Sequence, residues 1–121
     1  MNRIEEFSQD GKNIMLFDFS GFTTDKEYTD LISSAKMLIM KYEPDSLYTV
    51  TNMKGAVVSA KTHDIIADWV KYNKPYVKHG VVYGVDAAQK VIGQTAAVVT
   101  QRTNLVYVST KEDAMEHIKN L

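Results

Sequence analysis

Apolar positions along this chain switch between two periods, and the switches mark its elements. Arg3–Phe7 and Asn13–Phe19 read as strands on either side of Asp10-Gly11. That pair favours a tight hairpin, because both central turn positions take positive φ. An antiparallel pair is expected, with the first strand at an edge. The run Ile14-Met15-Leu16-Phe17 is continuously apolar, which suits a strand covered on both faces. Gly21 ends it.

The period then becomes helical. Thr24 and Glu27 have the spacing of a capping box. Leu31, Ile32, Ala35, Leu38, Ile39 and Tyr42 follow on one face, and Pro44 is expected to stop the helix. A strand over Leu47–Thr51 leads to a loop containing Gly55. Ser59 is a candidate cap for a second helix, whose apolar face is Ile65, Ile66, Trp69 and Val70. After the break at Pro75 comes a strand at Val81–Val85, then a helix from Asp86 with Val91, Ile92, Thr95, Val98 and Val99 facing inward. Leu105–Val108 is the last strand. Ser109-Thr110-Lys111-Glu112 reads as a second capping box, and Ala114, Met115, Ile118 and Leu121 as the inner face of the final helix.

The order β-β-α-β-α-β-α-β-α predicts an α/β fold. Its sheet is mostly parallel, with an antiparallel N-terminal edge hairpin and four helices joined by right-handed crossovers. The 121 residues fit one domain spanning the chain.

Composition removes several classes of function. Fourteen basic residues against fifteen acidic ones give a net charge of -1, so no global field draws the chain to nucleic acid or anionic membrane. Without cysteine there is no disulfide, thiolate nucleophile or cysteine-bound zinc. No apolar run reaches membrane-spanning length. The first residues, MNRIEEFSQDGKN, carry no apolar signal core, and a cytoplasmic location is expected.

Candidate chemistry is sparse. Ligands of open α/β sheets gather beyond the carboxyl ends of the strands, and Asp18, Ser20, Asn52, Asp86 and Ser109 fall at or near those ends. They are the candidate ligand rim, although Asp, Asn and Ser also dominate turns and caps. A phosphoreceiver needs an aspartate where this chain has Asn52. Gly80 and Gly84 flank a strand and do not form a dinucleotide loop. His63, His79 and His117 are scattered, without ligand spacing on one helix, and are expected at the surface. The side chains of His63 and Asp64, as helix neighbours, are expected to diverge. No metal and no cofactor are expected. Lys71, Lys74, Lys78 and His79 interleave with Tyr72 and Tyr76, a pattern known for single strands. The acidic balance and the habit of lysine stems to cover apolar surface argue against nucleic acid. Trp69 is expected in the core, with Tyr72 and Tyr76 as candidate interface residues.

The element order, together with Asn73-Lys74-Pro75-Tyr76-Val77-Lys78, Val81-Val82-Tyr83-Gly84-Val85 and Glu112-Asp113-Ala114, resembles the STAS-like family. This is the fold of sulfate-transporter and anti-sigma-factor-antagonist domains, here in the form of small bacterial proteins also likened to CRAL-TRIO lipid-binding domains. The resemblance implies a non-enzymatic regulatory or protein-interaction module with a protein partner. The antagonists carry a phosphorylatable Ser at the start of the helix after the second crossover strand. Here that region is Val57-Val58-Ser59-Ala60-Lys61-Thr62, without the flanking Asp and Gly of their Asp-Ser-Ser-Gly-like stretch. Ser59 and Thr62 are therefore candidate phosphoacceptors, and a helix cap is the simpler role. The alternative function is a carrier or sensor of a small apolar ligand or lipid, with Met37, Met40, Met53 and Met115 lining an adaptable cavity. A homodimer, through the edge strand or the aromatic end of the second helix, is expected.

Overall fold

The computed structural model describes residues 2–86 and 104–121. A hairpin of β1 (Ile4–Gln9) and β2 (Lys12–Asp18) leads into α1 (Asp25–Ile39), β3 (Leu47–Asn52) and α2 (Ala60–Asn73). Then come β4 (Val77–Tyr83), β5 (Leu105–Val108) and α3 (Lys111–Lys119). The strands form one sheet in the order β1-β2-β3-β4-β5. The β1–β2 pair is antiparallel and the others are parallel. The expected mixed sheet with β1 at an edge is thus present. The helix expected from Asp86 through Val99 lies beyond Asp86 outside the described residues, which hold three helices.

Turn chemistry sets the hairpin. Asp10 and Gly11 have φ of 53° and 78°, the left-handed values that a two-residue turn requires. In β2, Met15 and Phe17 bury into the core under α1 and α2, while Ile14 buries on the opposite face with Val50, Val81 and the α3 residues Ala114 and Ile118. A strand with both faces covered cannot alternate polar with apolar, hence the continuous run. Arg3 pins the edge strand, with Nη1 donating to the carbonyls of Asp18 at 3.2 Å and Ser20 at 2.9 Å.

The α1 capping box is complete. The Glu27 amide donates to Thr24 Oγ1 at 3.2 Å, and the Thr24 amide to Glu27 Oε1 at 3.1 Å. The helix ends at Ile39, ahead of Pro44. Turn hydrogen bonds from Lys41 to Leu38 and from Tyr42 to Ile39 carry the chain onward. Asp45 and Leu47 then donate to the carbonyls of Pro75 and Tyr76.

Two boundaries differ from expectation. β4 begins at Val77, four residues ahead of the apolar run, and ends at Tyr83 before Gly84. Polar Lys78 and His79 hide its start, yet Val77 and His79 pair with Leu47 and Tyr48 of β3. At the C-terminus Thr110, not Ser109, caps α3, accepting from the Asp113 amide at 3.1 Å. Leu121 then falls past the last turn and is exposed, not part of the inner face.

Candidate functional site

The face of the sheet beneath α2 carries a partly open apolar cavity of about 90 Å³. Phe17, Thr49, Thr51, Val82, Leu105 and Tyr107 supply its floor from four strands. Among the described residues, Ile66, Trp69, Val70 and Asn73 of α2 form its roof, and Phe19, Tyr28, Met53, Val58 and Val85 line its wall. Trp69 is only 5% exposed and meets Phe17 edge-on, with ring centroids 5.5 Å apart. That is the core position its helical register predicts. Tyr28 is fully buried and donates its hydroxyl to the Val57 carbonyl at 3.0 Å. Burial, followed by the charge of Glu27, pushes its pKa up to about 12. Burial also raises that of Tyr107. Of the four methionines considered, Met53 alone lines the cavity. Met37 on α1 and Met40 at its C-cap are 73% and 62% exposed, and Met115 packs on the α3 face.

The strand-end residues gather only in part. Asp18, Asn52 and Tyr83 stand side by side across β2, β3 and β4. With Arg3, Glu5 and Lys111 they line a polar hollow of about 210 Å³. Their oxygens are already engaged in turns: Asp18 Oδ1 accepts from the Ser20 amide at 2.9 Å, and Asn52 Oδ1 from the Lys54 amide at 2.9 Å. The charges of Arg3 and Lys111 are matched by Glu5 and Asp18, so the hollow has no net sign. Ser20, Asp86 and Ser109 are not among its lining residues.

Ser59 caps α2, accepting from the Thr62 amide at 3.2 Å. Thr62 is 3% exposed, and its hydroxyl donates to Asp25 Oδ1 at 2.9 Å and lies 2.9 Å from Ser59 Oγ. The cap role expected of Ser59 is thus formed. Thr62 is a buried structural hydroxyl within reach of a carboxylate.

Tyr72 stacks on Trp69 at 6.2 Å, and Tyr76 lies 6.3 Å further on, so an aromatic row leads from the core to the surface. Lys36 Nζ caps the Tyr72 ring 4.8 Å from its centroid. The row is half-buried.

The histidines depart from expectation. His63 Nδ1 comes to 3.4 Å of Asp64 Oδ1, so these side chains converge on the exposed helix face. More consequentially, His79 of β4 and His117 of α3 meet, with their Nε2 atoms 2.9 Å apart and both residues half-buried. Burial, then the field of His117, holds His79 below the ordinary imidazole range. Thirty-eight residues separate the two in sequence, so helical spacing cannot reveal the pair. Only the packing of α3 on β4 does.

With this geometry the chain has an α/β fold of the kind called SpoIIAA-like. It is similar to an uncharacterized protein of the DUF3478 family with a SpoIIAA-like fold from Shewanella loihica PV-4. The TM-score is 0.72 at 12% sequence identity, over 94% of this chain and 90% of that one. No family model and no curated protein matches the sequence. Among the described residues, no helix is long and apolar enough to cross a membrane.

Proposed function

We propose that this chain is a non-enzymatic regulatory module whose input is a small apolar molecule, about one ring in size, bound beneath α2. The observation that carries this reading is the cavity, walled by aromatic and aliphatic side chains with the hydroxyl-bearing Thr49 and Thr51 on its floor. An apolar pocket with a few polar groups is what ligand sites share. Size selects the ligand. Drug-sized and lipid ligands take roughly 300–1,000 Å³, whereas a dry cavity of about 150 Å³ takes benzene. At about 90 Å³ this site needs only a modest shift of Met53, whose unbranched side chain adapts readily. An acyl chain is too large, which turns the reading from lipid carrier to small-molecule sensor. The output is contact with a protein partner through the row of Tyr72 and Tyr76, which stacks directly on the roof residue Trp69.

The chain's single tryptophan lines the cavity, so its emission reports occupancy. Titration with toluene or phenol is expected to give a saturable change in Trp69 emission and to raise the melting temperature, while oleate gives neither. No saturable change with any single-ring compound would overturn the proposal.

A further inference from the structure

We propose that His79 and His117 form a two-imidazole site for a divalent transition metal of the nickel, copper or zinc class, which clamps α3 onto the sheet. The pair is held from two separate elements. His79 is on β4 beside Tyr48 of β3, on the same face as Val81. His117 follows Ala114 and precedes Ile118, the buried contacts of α3 with that face. Backbone and core packing therefore set the separation of the two rings, and an entering metal finds its ligands already assembled.

The distance fits the chemistry. Metal–nitrogen bonds of roughly 2.0–2.1 Å place two imidazole nitrogens about 2.9 Å apart at a right angle and about 3.4 Å apart at a tetrahedral one. The Nε2 atoms stand 2.9 Å apart. Right-angle donors suit the tetragonal sites of copper(II) and nickel(II), while zinc needs the rings to part by a few tenths of an ångström. Without metal, this contact forces one ring to donate N–H and the other to accept. A metal takes the place of that bridging proton: the ring that had donated regains one proton at Nδ1 from solvent in exchange for the one lost at Nε2, so both rings stay neutral with Nδ1–H and both Nε2 atoms act as donors, with no net proton release. The described residues hold no cluster of three or more His, Cys, Asp or Glu side chains with metal-binding geometry, so water fills the remaining positions. Hard cations such as magnesium and calcium prefer oxygen donors and are not bound here.

The test is thermal unfolding of the full chain after EDTA treatment, with nickel, copper or zinc chloride added at pH 7.5. At least one of the three is expected to raise the melting temperature by roughly 4–8 °C at saturation, with magnesium and calcium giving no shift. The rise disappears in His79→Gln and in His117→Gln and persists in His63→Gln. Zinc titration of 15N-labelled protein reads the site independently of stability, and the Nε2 resonances of both rings are expected to move together. The proposal is overturned if none of the three metals shifts the wild type. A shift in the His79→Gln and His117→Gln variants as large as that of the wild type, or movement of only one ring, overturns it too.

Discussion

The Thr62 hydroxyl donates to the Asp25 carboxylate at 2.9 Å, joining the first turn of α2 to the first turn of α1. The α2 helix has no acidic residue in its own first turn, and Asp25 supplies that charge from the neighbouring helix. Lys61 Nζ stands 3.8 Å from the same carboxylate. One aspartate therefore complements the positive ends of two helix dipoles. A phosphate on Ser59 would enter beside this existing negative charge, which opposes the modification.

Two substitutions there should differ in a fixed order. Ser59→Ala removes a cap and is expected to cost about 1 kcal/mol. Thr62→Val removes a buried hydroxyl bonded to a charged partner and is expected to cost about 1.5–3 kcal/mol. Urea melts followed by Trp69 emission measure both. A Ser59 variant that loses more than its Thr62 counterpart would count against the shared-carboxylate arrangement.

Trp69→Ala should be the most damaging change to α2. The ring is 5% exposed, meets Phe17 edge-on and stacks with Tyr72. Truncating a buried aromatic costs about 3–5 kcal/mol. Circular dichroism in denaturant is the appropriate readout, since the fluorophore is lost. A loss under roughly 1 kcal/mol would place the ring's contribution at the level of a surface residue.

Much of the fold was legible where local chemistry decides it. Asp10-Gly11 dictates the hairpin through positive φ, Thr24 and Glu27 mark the start of α1, and Ser59 starts α2. The register of Trp69 foretold its burial. What stayed hidden depends on pairing across the sheet. The start of β4 at Val77 is set by hydrogen bonding to β3, and polar Lys78 and His79 mask it. The cavity draws residues from four strands and both α1 and α2, so no window of sequence contains it. The His79–His117 pair is hidden for the same reason. Of the strand-end candidates, Asp18 and Asn52 share the polar hollow, but their oxygens serve turns.

Tyr28 predicts the alkaline limit of stability. Its pKa rises from 10.0 to about 12 because the buried phenol resists ionisation. The folded state thus keeps a proton that the unfolded chain releases above pH 10. The contribution is complete below that pH and is lost as pH climbs towards 12. Tyr28→Phe should flatten this decline in part, leaving the shares of Tyr42, also raised to about 12 by burial and by Glu6, and of Tyr83 and Tyr107, both raised first by burial. At neutral pH the same variant should lose about 1 kcal/mol with the hydrogen bond to Val57. Denaturant melts from pH 8 to 11 test both halves. An unchanged slope in Tyr28→Phe would show that the phenol ionises as freely folded as unfolded.

Gly80→Ala separates the cavity's role in binding from its role in packing. Gly80 is on β4 against the cavity floor. A methyl group there would come within 2.8 Å of Leu105 Cδ2 and 2.9 Å of Thr49 Oγ1, both from lining side chains. These are side-chain ends next to empty space, so they can yield by turning into the cavity and filling part of it. The backbone is not strained, because Gly80 lies within a paired strand and its amide donates to the Asn104 carbonyl at 2.9 Å. The variant is expected to fold with a loss of about 1–3 kcal/mol, the usual cost of overpacking. Its affinity for toluene or phenol should fall at least tenfold, because the vacant volume is what such a ligand occupies. Trp69 stays in place, so the emission titration reads wild type and variant alike. A variant that folds and still binds as tightly as the wild type would mean that the ligand sits elsewhere than beneath α2.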